Sequence, residues 1–179
     1  MVYIFLADGF EEIEALCPLD MLRRVGVPVQ TVGVTGEYVT GAHEIVVRTD
    51  TTIENIEPSE DLEMLILPGG KTGTENLDAN EQLHHMLDYA ADRGLYIAAI
   101  CAAPSILGKR GMLYGRSAVC YPGFESMLEG ANISNKTVVI DENIITAKGM
   151  GVSIPFGLAL VSILCGEETA EKLKNAVIA

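Results

Sequence analysis

Cys101 is the residue of this sequence whose surroundings best suit covalent chemistry. The segment AAICAAP places the small residues Ala99 and Ala103 two positions to either side of it. A side chain at a sharp turn between a strand and a helix needs such small neighbours. The free N–H groups of the following helical turn would favour the thiolate, so we predict a lowered pKa for Cys101. A buried structural cysteine is the alternative interpretation.

The turn Pro68-Gly69-Gly70 is a second candidate feature, because it follows a continuous apolar run. Glycine at two successive positions lets another group approach the backbone closely. With the N–H of Ala102, this turn could form an oxyanion hole beside the cysteine. An ordinary turn at the end of a strand is the alternative.

Three glutamates, Glu11, Glu12 and Glu14, stand at the beginning of the first amphipathic stretch. Carboxylates in a first helical turn complement the helix dipole, which explains Glu11 and Glu12 without a chemical role. Glu14 lies one turn into the helix, between Ile13 and Ala15. Its side chain could therefore point inward, although the pattern alone leaves that open.

The composition excludes several classes of function. The formal net charge of the 179 residues is -13 and no Lys/Arg cluster occurs, so we expect neither nucleic acid nor a membrane surface as a partner. No signal peptide and no bilayer-spanning apolar stretch is visible, and a cytoplasmic location is expected. The four cysteines and three histidines show neither CxxC nor metal-ligand spacing. The sequence thus predicts reduced thiols and no metal.

Short apolar runs alternate with amphipathic stretches, which predicts an α/β fold with a mostly parallel sheet covered by helices on both faces. No linker divides residues 1–179, so we predict a single domain. Ligands of open parallel sheets bind at the carboxyl ends of the strands. We therefore expect the turn after the first strand, the PGG turn and Cys101 to converge on one site. The predicted strands are 2–6, 27–34, 62–67, 96–100, 117–120, 137–140 and 144–147, with a hairpin or edge excursion in 44–53, and the predicted helices are 11–25, 79–93, a short one ending near 107, 152–164 and 167–177.

Six segments in order, FLADGFEEIEA, RRVGVPV, LILPGG, AAICAAP, CYPGFE and ITAKGMG, resemble those of the ThiJ/PfpI superfamily. The resemblance is closest to the branch of the parkinsonism-associated DJ-one protein and its YajL-like relatives. It implies a flavodoxin-like three-layer sandwich of the class I glutamine amidotransferase type, without a cofactor and usually dimeric. Cys101 matches the reactive cysteine, Glu14 the protonated glutamic acid that hydrogen-bonds its sulfur, and Gly70 and Ala102 the backbone donors. Further possible pocket residues are Gly69, Tyr121, Pro122 and Met150.

Three departures from the family pattern bear on activity. Tyr121 stands where many members have a histidine, so no Cys-His pair is evident. Ala102 stands where the protease-like branch has a histidine directly after its cysteine, so peptidase activity is not expected. Met150 and Ile154 replace residues that commonly line the pocket in close relatives.

Three functional hypotheses follow. In the first, Cys101 adds to the aldehyde of methylglyoxal, glyoxal or one of their adducts, as in a glyoxalase or deglycase, and Glu14 shuttles the protons. In the second, the protein is an oxidative-stress sensor or redox-regulated chaperone whose Cys101 is oxidised to a sulfinate. The third is a structural or binding module, since a fold does not fix a function. The resemblance also predicts a homodimer formed through the first helix and the strand near His43 to Arg48.

Overall fold

The chain is built around a central sheet of seven strands, and a computed structural model describes all of residues 1–179. The order of strands across this sheet is β10-β11-β7-β6-β1-β2-β5. The remaining strands form two separate two-stranded sheets, β3 with β4 and β8 with β9. The strands are β1 (Val2–Leu6), β2 (Val29–Gly33), β3 (Tyr38–Thr40), β4 (Val46–Arg48), β5 (Thr51–Thr52), β6 (Met64–Leu67), β7 (Tyr96–Ile100), β8 (Ser117–Ala118), β9 (Asn132–Ile133), β10 (Val138–Asp141) and β11 (Ile144–Ala147).

The central strands pair in parallel, except at the edge where β10 runs antiparallel to β11. Strand β1 shows why these segments are apolar throughout. Val2, Ile4 and Leu6 face one hydrophobic cluster, whereas Tyr3 and Phe5 face the other. A strand buried on both faces cannot alternate with polar residues.

Six helices cover the two faces of the sheet. Residues of α1, α5 and α6 belong to one hydrophobic cluster, and residues of α2, α3 and α4 belong to the other. The predicted flavodoxin-like three-layer architecture is thus confirmed. The helices are α1 (Glu12–Arg24), α2 (Lys71–Asp78), α3 (Glu81–Asp92), α4 (Pro104–Lys109), α5 (Ser153–Cys165) and α6 (Glu167–Val177). No helix has the length and apolar character needed to cross a membrane.

Three elements lie outside the predicted ranges: β3, which precedes the predicted excursion in 44–53, α2 and β9. Helix α2 follows the PGG turn directly, although KTGTENLD contains a single large apolar residue, Leu77, and no apolar stripe. A backbone hydrogen bond of 3.1 Å from the N–H of Gly73 to the carbonyl of Gly9 ties this helix to the loop after β1. The short strand β9 was also not predicted, since its two residues are both exposed.

Candidate active site

Cys101 occupies a strained turn between β7 and α4. Its φ angle is +65°, a left-handed conformation that costs a non-glycine residue about 1 to 3 kcal/mol. Backbone hydrogen bonds hold the turn on both sides. The N–H of Cys101 donates to the carbonyl of Ala147 at 2.9 Å, and the N–H of Tyr121 donates to the carbonyl of Cys101 at 2.8 Å. The neighbours Ala99 and Ala103 are small and fully buried, as expected beside such a turn.

Glu14 points inward from the first turns of α1, and only 1% of its surface is exposed. Its Oε2 accepts a hydrogen bond of 2.9 Å from the N–H of Gly69. Its Oε1 is buried and has no hydrogen-bond partner. A Cβ added at Gly69 would lie 2.6 Å from the Cβ of Cys101 and 2.6 Å from Oε2 of Glu14. The absence of a side chain at Gly69 therefore lets the thiol and the carboxyl group meet.

The surroundings of this pair change the pKa of both groups. Burial raises the pKa of Glu14 to about 7. The hydrogen bonds with Cys101 and with the N–H of Gly69 lower this pKa, but by less than burial raises it. Burial, and next the charge of Glu14, raise the pKa of Cys101 to about 12. The N–H groups of Gly70 and Ala102 both favour the charged sulfur and oppose this rise. Because a charge on either group disfavours a charge on the other, the pair keeps one proton over a wide pH range.

The prediction of a lowered Cys101 pKa is wrong in direction. The prediction rested on the N–H groups at the helix N-terminus, and the N–H of Ala102 does favour the thiolate. Burial and the charge of the Glu14 carboxylate raise the pKa by more than this N–H lowers it. Burial likewise raises the pKa of Cys120 to about 11 and also raises that of Cys17. What distinguishes Cys101 from these cysteines is the buried carboxyl group beside it.

Besides Gly69, the structure places two more of the possible pocket residues near Glu14. A Cβ added at Gly149 would lie 3.3 Å from the ring of Tyr121 and 3.7 Å from Oε1 of Glu14. The N–H of Met150 faces the Glu14 carboxyl group, while the side chains of Tyr121 and Met150 are about half exposed, at 51% and 53%. Pro122 is exposed beside Tyr121. Gly149, which keeps open the space between Tyr121 and Glu14, was missed by the sequence analysis.

Glu12 is a second buried carboxylate that sequence reasoning explained only as a first-turn acid. Its Oε1 accepts from the backbone N–H of His43 at 2.7 Å, and its Oε2 lies 2.8 Å from Nδ1 of His43. Burial disfavours its charge, but these bonds to His43 leave the pKa of Glu12 lowered. The ligand atoms of Glu11, Glu12 and His43 lie within 4.8 Å of one another. Because both oxygens of Glu12 already bind His43, we assign the group a structural role that ties the β3–β4 turn to α1.

A thiol at a strand-to-helix turn, beside a buried carboxylic acid and two backbone donors in a flavodoxin-like sandwich, defines a class of reactive-cysteine proteins. The model of the DJ-1/PfpI family matches residues 1–163. The chain belongs to this family.

Relatives across almost the whole chain support this assignment. The chain is 34% identical to the Parkinson disease protein 7 homolog of Danio rerio over 98% of its own length and 95% of the relative's. It is 31% identical to a protein of Pyrococcus abyssi named as a deglycase, over 84% of the chain and 90% of that protein. Among solved structures, the oxidized form of Toxoplasma gondii DJ-1 superposes with a TM-score of 0.94 at 32% identity, covering 99% of this chain and 97% of that one.

Proposed function

We propose that the protein is a cysteine-dependent enzyme of the glyoxalase or deglycase type, which acts on methylglyoxal, glyoxal or their adducts. The observation that carries the proposal is the buried Cys101–Glu14 pair, in which a base with a pKa of about 7 adjoins a thiol that otherwise ionises only near 12. A general base is most effective when its pKa lies near the working pH. Two similar proteins, from Pyrococcus abyssi and Pyrococcus horikoshii, carry the name deglycase.

The first step is addition of the thiol to the aldehyde. The carboxylate of Glu14 takes the proton of Cys101 while sulfur forms a bond to the carbonyl carbon. The carbonyl π electrons move to oxygen, which receives that proton, so that a hemithioacetal forms. No redox partner is consumed, because bonds and protons are only rearranged between the substrate and the pair.

Glu14 then moves a second proton. Its carboxylate, which adjoins the sulfur that now holds the substrate, takes the C–H proton of the hemithioacetal. The electron pair of that bond forms a carbon–carbon double bond while the ketone oxygen takes the negative charge of an enediolate. Glu14 then returns its proton to the former ketone carbon, and the hydroxyl proton of the hemithioacetal passes to the oxygen on that carbon, which gives a thioester of the hydroxy acid. Water cleaves the thioester, and methylglyoxal plus water become lactate plus the free Cys101 thiol.

Lactate formation from methylglyoxal tests this mechanism. We expect Cys101→Ser to abolish turnover and Glu14→Gln to lower it by about 100-fold, the usual share of general acid–base catalysis. The Gln variant keeps an acceptor for the Gly69 N–H but cannot transfer a proton. Wild-type activity should rise with pH as Glu14 ionises around its pKa of about 7. Wild-type turnover by Glu14→Gln would refute the two-residue mechanism.

A redox role of the same site is the second candidate, because the Toxoplasma gondii relative with a TM-score of 0.94 is described in an oxidized form. Peroxide would oxidise Cys101 in two successive steps, each consuming one peroxide and releasing water, first to the sulfenic and then to the sulfinic acid. Protonated Glu14 and the N–H groups of Gly70 and Ala102 would stabilise the sulfinate. Mass spectrometry after peroxide treatment separates the candidates: oxidation of Cys101 without any aldehyde turnover would favour the sensor or redox-regulated chaperone.

A homodimer remains our proposal for the assembly. Ile13, Met150 and Ile154 are 49%, 53% and 43% exposed and line one groove of about 740 Å³ with Leu158. Such clustered exposed apolar side chains mark interaction surfaces. A second copy of the chain is the occupant we propose, because Ile13 lies on α1, the helix expected at the interface.

A further inference from the structure

Glu11 is a second carboxylate close to the reacting pair, besides Glu14. It is the N-cap residue of α1, and its backbone N–H donates to the carbonyl of Gly69 at 3.0 Å. The N–H of the same Gly69 holds the carboxyl group of Glu14. The side chain of Glu11 is only 18% exposed, and its charge is one of the causes that raise the pKa of Glu14. The charge of Glu11 therefore acts on the reacting groups.

The charge of Glu11 is not balanced by a lysine or an arginine. Neither Glu11 nor Glu14 forms an ion pair with such a side chain. The ion-pair partner of Glu11 is His43, whose Nδ1 lies 3.7 Å from its Oε2. The same nitrogen lies 2.8 Å from Oε2 of Glu12. One imidazole is thus shared by two carboxylates and cannot balance both charges.

Two lysines stand next to the site in the sequence, but both side chains are directed elsewhere. Lys71 begins α2 and lines a cavity that Cys101 does not line. Lys148 directly follows β11, and its Nζ donates to the carbonyl of Asn135 at 3.2 Å. An anion that approached the sulfur of Cys101 would therefore meet the charge of Glu11 without a lysine to offset it.

We propose that Glu11 determines the charge specificity of the site, so that Cys101 reacts with neutral α-oxoaldehydes and disfavours anionic ones. The inference rests on the proposed function for the identity of its substrates. Repulsion between two like charges near a protein surface corresponds to about 5-fold in rate even where solvent screens it. Methylglyoxal and glyoxal carry no charge and are not repelled, whereas an α-oxoaldehyde with a carboxylate is.

Alkylation of Cys101 by a neutral and an anionic reagent tests the charge effect without any turnover. Iodoacetamide and iodoacetate are similar in size, and both form a carbon–sulfur bond with loss of iodide, but only iodoacetate is charged. Peptide mass spectrometry gives the rate at Cys101 for each reagent. We expect Glu11→Gln to lower the ratio of the iodoacetamide rate to the iodoacetate rate by about 5-fold. A change in the ionisation of the thiol affects both rates equally and cancels in this ratio.

Glu167→Gln is the matched control. Glu167 is exposed, stands at the beginning of α6 and forms no ion pair. It follows α5, whose 13 residues span about 20 Å from the end near Met150. We expect this control to keep the wild-type ratio of rates. A wild-type ratio in Glu11→Gln, or an equal fall of the ratio in both variants, would overturn the proposal.

Two substrates that differ by one charge extend the test to turnover. The compound γ,δ-dioxovalerate is an α-oxoaldehyde with a carboxylate, and its methyl ester is neutral. We expect Glu11→Gln to lower the ester-to-acid ratio of kcat/KM by about 5-fold relative to the wild type. An unchanged ratio would contradict the role of Glu11. If the wild type turns over no aldehyde while Glu11→Gln still lowers the alkylation ratio, the enzymatic function fails and the charge specificity of Cys101 stands.

Discussion

The buried carboxyl group of Glu14 makes the stability of the folded protein depend on pH. Its pKa is about 7 in the folded state, compared with 4.5 for an unperturbed glutamic acid. The folded state therefore binds the proton more tightly than the unfolded state. Stability must fall as the pH rises from the lower to the higher value, because ionisation is easier in the unfolded chain.

We expect Glu14→Gln to remove this pH dependence. The free energy of unfolding of Glu14→Gln minus that of the wild type should increase by roughly 3 kcal/mol between about pH 5 and about pH 8, because each pKa unit corresponds to about 1.4 kcal/mol. Urea denaturation at a series of pH values measures it. A difference between the two proteins that stays constant with pH would mean that Glu14 ionises normally in the folded state.

The positive φ angle of Cys101 gives a second prediction for a single residue. Glycine adopts this conformation without strain, whereas alanine does not. Cys101→Gly should therefore unfold with a free energy about 1 kcal/mol higher than Cys101→Ala, although both lack the thiol. Equal stabilities of the two variants in urea would contradict a strained turn at this position.

At the scale of secondary-structure elements, the site depends on how closely α1, the end of β6 and the end of β7 approach one another. Gly69 is the point of contact, because a Cβ there would lie 2.6 Å from both Cys101 and Glu14. Gly70 is equally confined, since a Cβ there would lie 2.2 Å from the carbonyl oxygen of Gly9. Backbone atoms cannot move aside without displacing α1 or the turn.

Gly69→Ala should therefore separate the thiol from the carboxyl group. We expect a destabilisation of about 1 to 3 kcal/mol from overpacking, together with a loss of aldehyde turnover. Gly151→Ala is the matched control, because no atom lies within 4 Å of the position of its added Cβ. If Gly69→Ala unfolded like the wild type in calorimetry and formed lactate at the wild-type rate, the proposed role of Gly69 would be wrong.

At the scale of the whole molecule, the proposed homodimer forms through the exposed apolar groove that Ile13 of α1 lines together with Ile154 and Leu158 of α5. A glutamate in place of Ile13 would have to be buried unpaired in such an interface, which is strongly unfavourable. We therefore expect Ile13→Glu to be monomeric at micromolar concentrations at which the wild type is a dimer, as measured by light scattering. Ile133→Glu is the control, since Ile133 is 48% exposed, close to the 49% of Ile13, but lies on β9. A monomeric wild type would refute the dimer.

The sequence by itself determined the architecture of this protein. Strands such as β1 and β7 are continuous apolar runs, and α3 has Leu83, Met86, Leu87 and Ala90 on one face, so periodicity alone identifies them. Small residues around Cys101 and glycines after β6 likewise point to sharp turns, because sterics restrict which residues fit there. These signals are local and can be read within a few positions along the chain.

Only the tertiary structure decided the electrostatics of the site. The pKa of Cys101 is raised rather than lowered because burial and the charge of Glu14, 87 positions earlier in the sequence, outweigh the nearby N–H groups. Helix α2 was missed for a similar reason, since its contact with the loop after β1 substitutes for an apolar stripe. Burial and contacts between distant segments depend on how the chain packs, and no local pattern encodes them.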